Sequence, residues 1–140
     1  MAEFTAIALQ TVAENQNVLF TETPICPTKN ILHREGSGIV RVSGNGSQCK
    51  ARYLVSFSGN IQIPTGGAVG EISLAISIDG EPLASTLMIA TPTATENLFN
   101  VSSQAYIDVI CGCCSTIGVK NTSTQAIEVQ NSNLIVVRVA

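Results

Sequence analysis

The stretch with the most reactive chemistry is Cys111-Gly-Cys-Cys114. Clustered thiolates bind zinc when four ligands reach one tetrahedral point. No histidine or acidic ligand stands within this cluster, and the paired C-x-x-C knuckles of a zinc site are missing. No metal or other cofactor is therefore expected. Cys111 and Cys114 do have redox C-x-x-C spacing, but such pairs work at a helix N-terminus, which lowers the thiol pKa. This one lies between β-rich runs. In an extended strand Cys113 and Cys114 face opposite sides, while Cys111 and Cys113 share one. With Cys26 and Cys49 the chain has five cysteines, an odd number. A crosslink from the cluster to Cys26 or Cys49, within a chain or between protomers, is one reading. Small packed thiols are the other. Both stay open.

The only histidine, His33, precedes Arg34 and Glu35. A hydrolytic triad would need it as the base, beside a serine and an acid held by the fold. No Gly-x-Ser-x-Gly elbow occurs, and Gly36-Ser-Gly38 has turn spacing. The expectation is an exposed turn with a local Arg–Glu pair. The two aspartates, Asp79 and Asp108, do not make a paired-carboxylate site, since Asp79 falls in a turn. Gly36/Gly38, Gly44/Gly46 and Gly66/Gly67 do not precede a helix with Lys-Ser/Thr, so they read as turns and not as phosphate loops. Asn45, Asn100 and Asn121 each begin an Asn-x-Ser/Thr triplet. In a chain so rich in Asn, Ser and Thr, these read as coincidence.

The elements that would position these residues are strands. Apolar residues alternate with polar ones in Glu71–Ile78, where Ile72, Leu74, Ile76 and Ile78 share a face. Asp79-Gly80 follows as a hairpin turn, with Glu81–Ala90 returning. Ala51–Ile61 alternates in the same way and ends at Pro64-Thr-Gly-Gly67. The runs Ser115–Lys120, Ala126–Gln130 and Leu134–Val139 are separated by Asn121–Thr124 and Asn131-Ser-Asn133. Weaker strands are expected at Thr5–Val12, Val18–Phe20, Asn30–His33, Ile39–Val42 and Tyr106–Ile110. The 36–47 segment reads as a mobile tip. About ten short strands punctuated by Gly, Asn and Pro predict an all-β jelly-roll sandwich, with residues 1–140 as one domain.

Composition sets the remaining bounds. Charged residues make up 12% of the 140 residues, about half the usual roughly 25%. Mean hydropathy is +0.32. No stretch reaches the ~20 apolar residues that span a bilayer, so no membrane insertion is expected. A chain this poor in charge tends to hide surface by self-association. The net charge is −3, and the seven basic residues are scattered, which argues against nucleic acid. The opening residues lack a basic n-region and a long apolar stretch, so no cleaved signal is expected.

Four runs, in this order, resemble the tumour necrosis factor and complement globular-head jelly rolls. Asn17–Phe20 is similar to the early strand ending in Phe. Ala51-Arg-Tyr-Leu-Val-Ser-Phe57 is similar to the central Gly-x-Tyr-x-Val-x-Phe strand, with Arg52 where a small residue is usual. Ser73–Pro82 is similar to the strand entering an Asp-Gly hairpin, and Asn133–Val139 to the closing strand, without the aromatics of animal members. Bacterial and phage members, including the exosporium collagen-like glycoprotein tip domain, cap stalks. The resemblance implies a homotrimer and a structural head on a virion, spore or cell surface, reached by assembly and not by a cleaved signal, or else a cytoplasmic protein. An adhesin of the same fold, binding a glycan or receptor through Ser37, Asn45, Ser47 and Thr65, is the alternative. A disulfide-linked fibre subunit is a third reading, and no enzymatic activity is expected.

Overall fold

The computed structural model describes residues 1–44, 50–110, 112 and 114–140. Twelve strands run in chain order: β1 (Ala2–Ala6), β2 (Gln10–Val12), β3 (Glu22–Ile25), β4 (Ile31–His33), β5 (Val40–Ser43), β6 (Lys50–Gln62), β7 (Ile72–Ile78), β8 (Glu81–Pro82), β9 (Met88–Ala90), β10 (Phe99–Ile110), β11 (Cys114–Asn121) and β12 (Ile127–Arg138). They form two antiparallel sheets. The first has the order β10-β6-β12-β1-β3, with β2 also on β12; the second has the order β4-β5-β11-β7-β8, with β9 also on β7. The fold is the expected jelly-roll sandwich.

The period of two dictates the layering. Tyr53, Val55, Phe57 and Ile61 on β6, with Leu134 and Val136 on β12, point inward from the first sheet. Ile72, Leu74 and Ile76 on β7, with Ile117 and Val119 on β11, meet them from the second, in one continuous apolar cluster. Each such side chain contributes about 1.5–3 kcal/mol when fully buried. Tyr53 carries a hydroxyl into this layer, and it donates to the Ser43 carbonyl at 2.7 Å. Burial pushes its pKa up.

Several boundaries differ from the sequence expectation. Thr5–Val12 is two strands, β1 and β2, and β3 was not anticipated. Pro24 stands in β3, which is tolerated because β3 is an edge strand. Val18 and Phe20 are buried and Leu19 between them is exposed, but the run forms no strand; Val18 N–H donates to the Val119 carbonyl at 2.8 Å beside an isolated Asn17–Lys120 bridge. The returning run after the hairpin is broken by a short 3-10 turn at Ala84–Thr86. Asn131-Ser-Asn133 does not separate two strands. It is a bulge within β12, where the register against β6 shifts and Asn131 takes φ 54°. Asn tolerates that left-handed conformation better than a branched residue would. The Asp79-Gly80 turn is as expected, with φ of 52° and 87° closing Ile78 onto Glu81.

The described part of the 36–47 segment contains β5, and two of its glycines, Gly38 and Gly44, are close-packed, while Gly36 stands in open space. A Cβ on Gly38 would lie 2.7 Å from that of Asn17, and one on Gly44 would lie 2.7 Å from two backbone oxygens.

Candidate functional site: the outer faces of the two sheets

His33 is not in an exposed turn. It ends β4, half-buried, with its ring 4.5 Å from Phe4 and 6.4 Å from Phe20. Its Nε2–H donates to the Ser37 carbonyl at 2.9 Å, which leaves the buried Nδ1 without a partner. Arg34 and Glu35 are exposed, and no ion pair joins them; the ion pairs among the described residues gather at Asp108. A triad built on His33 finds its Nε2 already engaged by the backbone.

Of the five cysteines, Cys26 and Cys114 are exposed free thiols on elements flanking different sheets. Cys49, Cys111 and Cys113 lie outside the described residues, as do Asn45 and Ser47. The Cys114 Sγ accepts from Arg41 Nη2 at 3.0 Å. Among the described residues no cluster of His, Cys, Asp and Glu is arranged to hold a metal, and no helix is long and apolar enough to cross a membrane. Thr65 stands in an exposed turn, with its hydroxyl on the Glu96 carboxylate. Ser37 lies far from that turn in the fold, on the rim of two clefts described below.

Asn121 is also misjudged if read only as a chance triplet. It is wholly buried, and its Nδ2 donates to the carbonyls of Val12, Ala13 and Gln125, while its Oδ1 accepts from Ser123 N–H. The side chain ties the second sheet to the end of β2 in the first. It is a structural amide and is out of reach of any modifying group in the folded chain.

The outer face of the first sheet carries an apolar row. Tyr106 on β10, Leu54 on β6 and Val137 on β12 stand directly opposite one another. Tyr106 is 67% exposed. At about 4.8 Å per strand, this makes an apolar row about 10 Å wide. The next row holds Gln104, Ser56, Ile135 and Glu3. Farther along, Asn100 donates to Asn60 at 3.1 Å and Asn60 to Asn131 at 3.2 Å, a neutral amide ladder over three strands.

The ion-paired charges of this face gather at one end, while Glu3, Glu22 and Glu128 stand elsewhere on it. Arg52 grips Asp108 with two hydrogen bonds, of 2.7 and 3.0 Å, and Lys50 adds an ion pair at 3.4 Å. The Arg52 hydrogen bonds, helped by both positive charges, pull the Asp108 carboxyl down to about 2. These residues border an open cleft of about 660 Å3 shared with Tyr106, Val139 and Ala140.

The outer face of the second sheet is different. Leu32 on β4, Ile39 before β5 and Arg41 on β5 border a cleft of about 510 Å3, together with His33, Arg34 and Ser37. A second cleft of about 370 Å3 continues past Ser37 and Ile39 to Leu19, Asn17 and Lys120. Its floor is a close approach of two glycines. A Cβ on Gly118 would meet Asn17 Nδ2 at 2.7 Å and the Gly38 carbonyl at 2.9 Å.

Neither face was singled out as a site from the sequence. A signal existed for the first: Leu54 stands on the polar phase of its strand, and Leu134–Val139 is apolar on both phases. A strand apolar on both phases is a strand covered on both sides.

No family model and no curated protein matches the sequence. Solved structures do. The Eiger TNF from S. frugiperda superposes with a TM-score of 0.72 at 16% identity, covering 99% of this chain and 91% of that one. The globular domain of zebrafish complement 1qA gives 0.59 at 12% identity, covering 96% and 94%. Murine APRIL gives 0.55 at 13%, covering 95% and 97%. The strand order and these superpositions define a jelly-roll sandwich of the tumour necrosis factor type.

Proposed function

We propose that residues 1–140 form one non-enzymatic domain whose copies associate as a homotrimeric head through the outer face of the first sheet. The observation that carries this reading is the Tyr106–Leu54–Val137 row, an exposed aromatic flanked by half-buried aliphatics, with the self-neutralised Arg52–Asp108 pair on one side and Gln104, Ser56 and Ile135 on the other. Interface centres are depleted in charge and enriched in Tyr. A closed ring of three needs a second, different surface to meet the first. The edge of β10 offers it: β10 ends the sheet with one side unpaired, and Phe99 and Ile110 are exposed along it. Such a head, capping a surface appendage on a virion, spore or cell, is the setting that the resemblance to bacterial and phage jelly rolls implies.

The test is native mass by light scattering, with and without reductant. A trimeric mass that reductant does not change supports the reading. A monomer overturns it, and an assembly that dissolves in reductant replaces it with the disulfide-linked fibre. The adhesin reading is favoured by Ser37, which borders both clefts of the second face. A glycan array without signal above background removes its glycan form.

A further inference from the structure

The two clefts of the second face form one groove, because Ser37 and Ile39 line both. Its walls carry three cations, Arg34, Arg41 and Lys120, and no carboxylate. In a chain with net charge −3 and only seven basic residues, that concentration runs against the average. The cations are not neutralised locally. Arg34 has no carboxylate partner among the described residues, Arg41 rests on the Cys114 sulfur, and Lys120 donates one hydrogen to the Gly80 carbonyl. The acidic groups next to lining residues in sequence, Glu14, Glu35, Asp79 and Glu81, do not line the groove, and Asp79 Oδ1 is held by Thr116 N–H at 2.9 Å.

Between the cations stand three exposed aliphatics, Leu19, Leu32 and Ile39, at 46%, 60% and 50% exposure. A bare polyanion such as a sulfated glycan would match the charges and leave these side chains wet. A peptide that carries acidic and aliphatic side chains on the same face would match both. We infer that this groove is a docking site for an acidic, aliphatic-rich peptide segment of a partner protein. On the trimeric reading above, a second copy meets the Tyr106 face of the opposite sheet and not this groove. The clefts are open, which suits an extended segment lying along them.

The test uses a fluorescein-labelled peptide of Glu-Ser-Leu-Ser repeats, which puts Glu and Leu on one face of an extended chain, its Gln isostere, and a heparin oligosaccharide, each titrated by anisotropy. The acidic peptide is expected to bind at least about tenfold tighter than the isostere, and to weaken several-fold as salt rises from about 50 to 300 mM. The double variant Arg34→Gln/Arg41→Gln and the single variant Ile39→Asn should each lower affinity about tenfold, with an unchanged circular dichroism spectrum. All three side chains are exposed, so the fold does not depend on them. Equal binding by the isostere, or equal binding by the variants, overturns the proposal. Binding of heparin without the acidic peptide also overturns it and makes the groove a polyanion site. The readout is the same for a monomer and a trimer, so its failure is separate from any failure of the trimeric reading.

Discussion

The two outer faces of this sandwich rest on the same core but differ in how they handle charge. On the first, Lys50 and Arg52 neutralise Asp108 at one end, while Glu3, Glu22 and Glu128 stand apart from them and the Tyr106 row and the amide ladder lie between. On the second, cations stand apart from carboxylates and flank exposed aliphatics. A surface meant to meet a copy of itself gains little from an uncompensated charge, because every copy repeats the same sign. A surface meant for a different molecule gains orientation and association rate from one. The two faces thus differ in how their cations are paired and not in how many charges they carry.

The largest expected effect breaks the comparison at the first face. Leu54→Lys together with Val137→Lys places positive charges in the middle of the apolar row. In an isolated chain these side chains can extend into water. In an associated one each charge would be buried without a partner, a cost of several kcal/mol. The native mass should fall from a trimer to a single chain with the β-sheet spectrum intact. Arg34→Gln/Arg41→Gln on the second face should leave the mass unchanged. If both pairs of substitutions alter the mass equally, the division of labour between the faces is wrong.

Next comes a change that affects both faces at once. Asn121→Ala leaves three carbonyl acceptors without the amide that joins the two sheets. At about 1–3 kcal/mol for each buried unsatisfied group, the loss should reach about 3 kcal/mol or more. For a chain of this size that lowers the thermal midpoint by about 10 °C. Calorimetry would show it as a single shifted transition. Asn121→Asp, which keeps the size but exchanges the donor for an acceptor, should be at least as damaging.

A smaller effect sharpens the comparison on the second face alone. Gly118→Ala pushes a methyl against the Gly38 carbonyl and Asn17 at the groove floor. Overpacking of this kind costs about 1–3 kcal/mol. The peptide titration should weaken while the native mass stays as it is.

How much of this was legible in the sequence follows from the kind of signal each feature leaves. Period-two alternation in β6 marks the core layer because burial acts on every second residue; β7 alternates in polarity, although its small Ser73, Ala75 and Ser77 are buried too, and the Asp79-Gly80 pair marks its turn because both positions need positive φ. Edge elements leave less. β3 and β4 each have one partner strand and a short run, so Glu22–Ile25 carried no pattern to find. The bulge at Asn131 looked like a break because its left-handed residue is the same type that ends strands. The candidate faces were hidden for a different reason: pairing register decides that Tyr106, Leu54 and Val137 form one row, and register is a long-range fact. His33 was misread because nothing local tells that Phe4 and Phe20 will lie against it.

The smallest effect separates the charged end of the first face from its neutral centre. Asp108 is held well below its ordinary value of 3.8, at about 2, by hydrogen bonds from Arg52 and by the charges of Arg52 and Lys50. A carboxyl with a depressed folded pKa contributes stability that is present above its unfolded value and is lost as pH falls through its folded one. The contribution of this cluster should therefore be constant at neutral pH and disappear between about pH 4 and pH 2. Because these groups are exposed, the effect is small and screened by salt. Asp108→Asn removes the titrating group, so its urea midpoint should lie slightly below that of the unaltered chain at about pH 6 and converge with it near pH 2. Equal midpoints at both pH values would mean that the cluster does not stabilise the fold, and that its placement matters only for keeping charge away from the Tyr106 row. A gap that widens in acid would contradict the ion pairing itself.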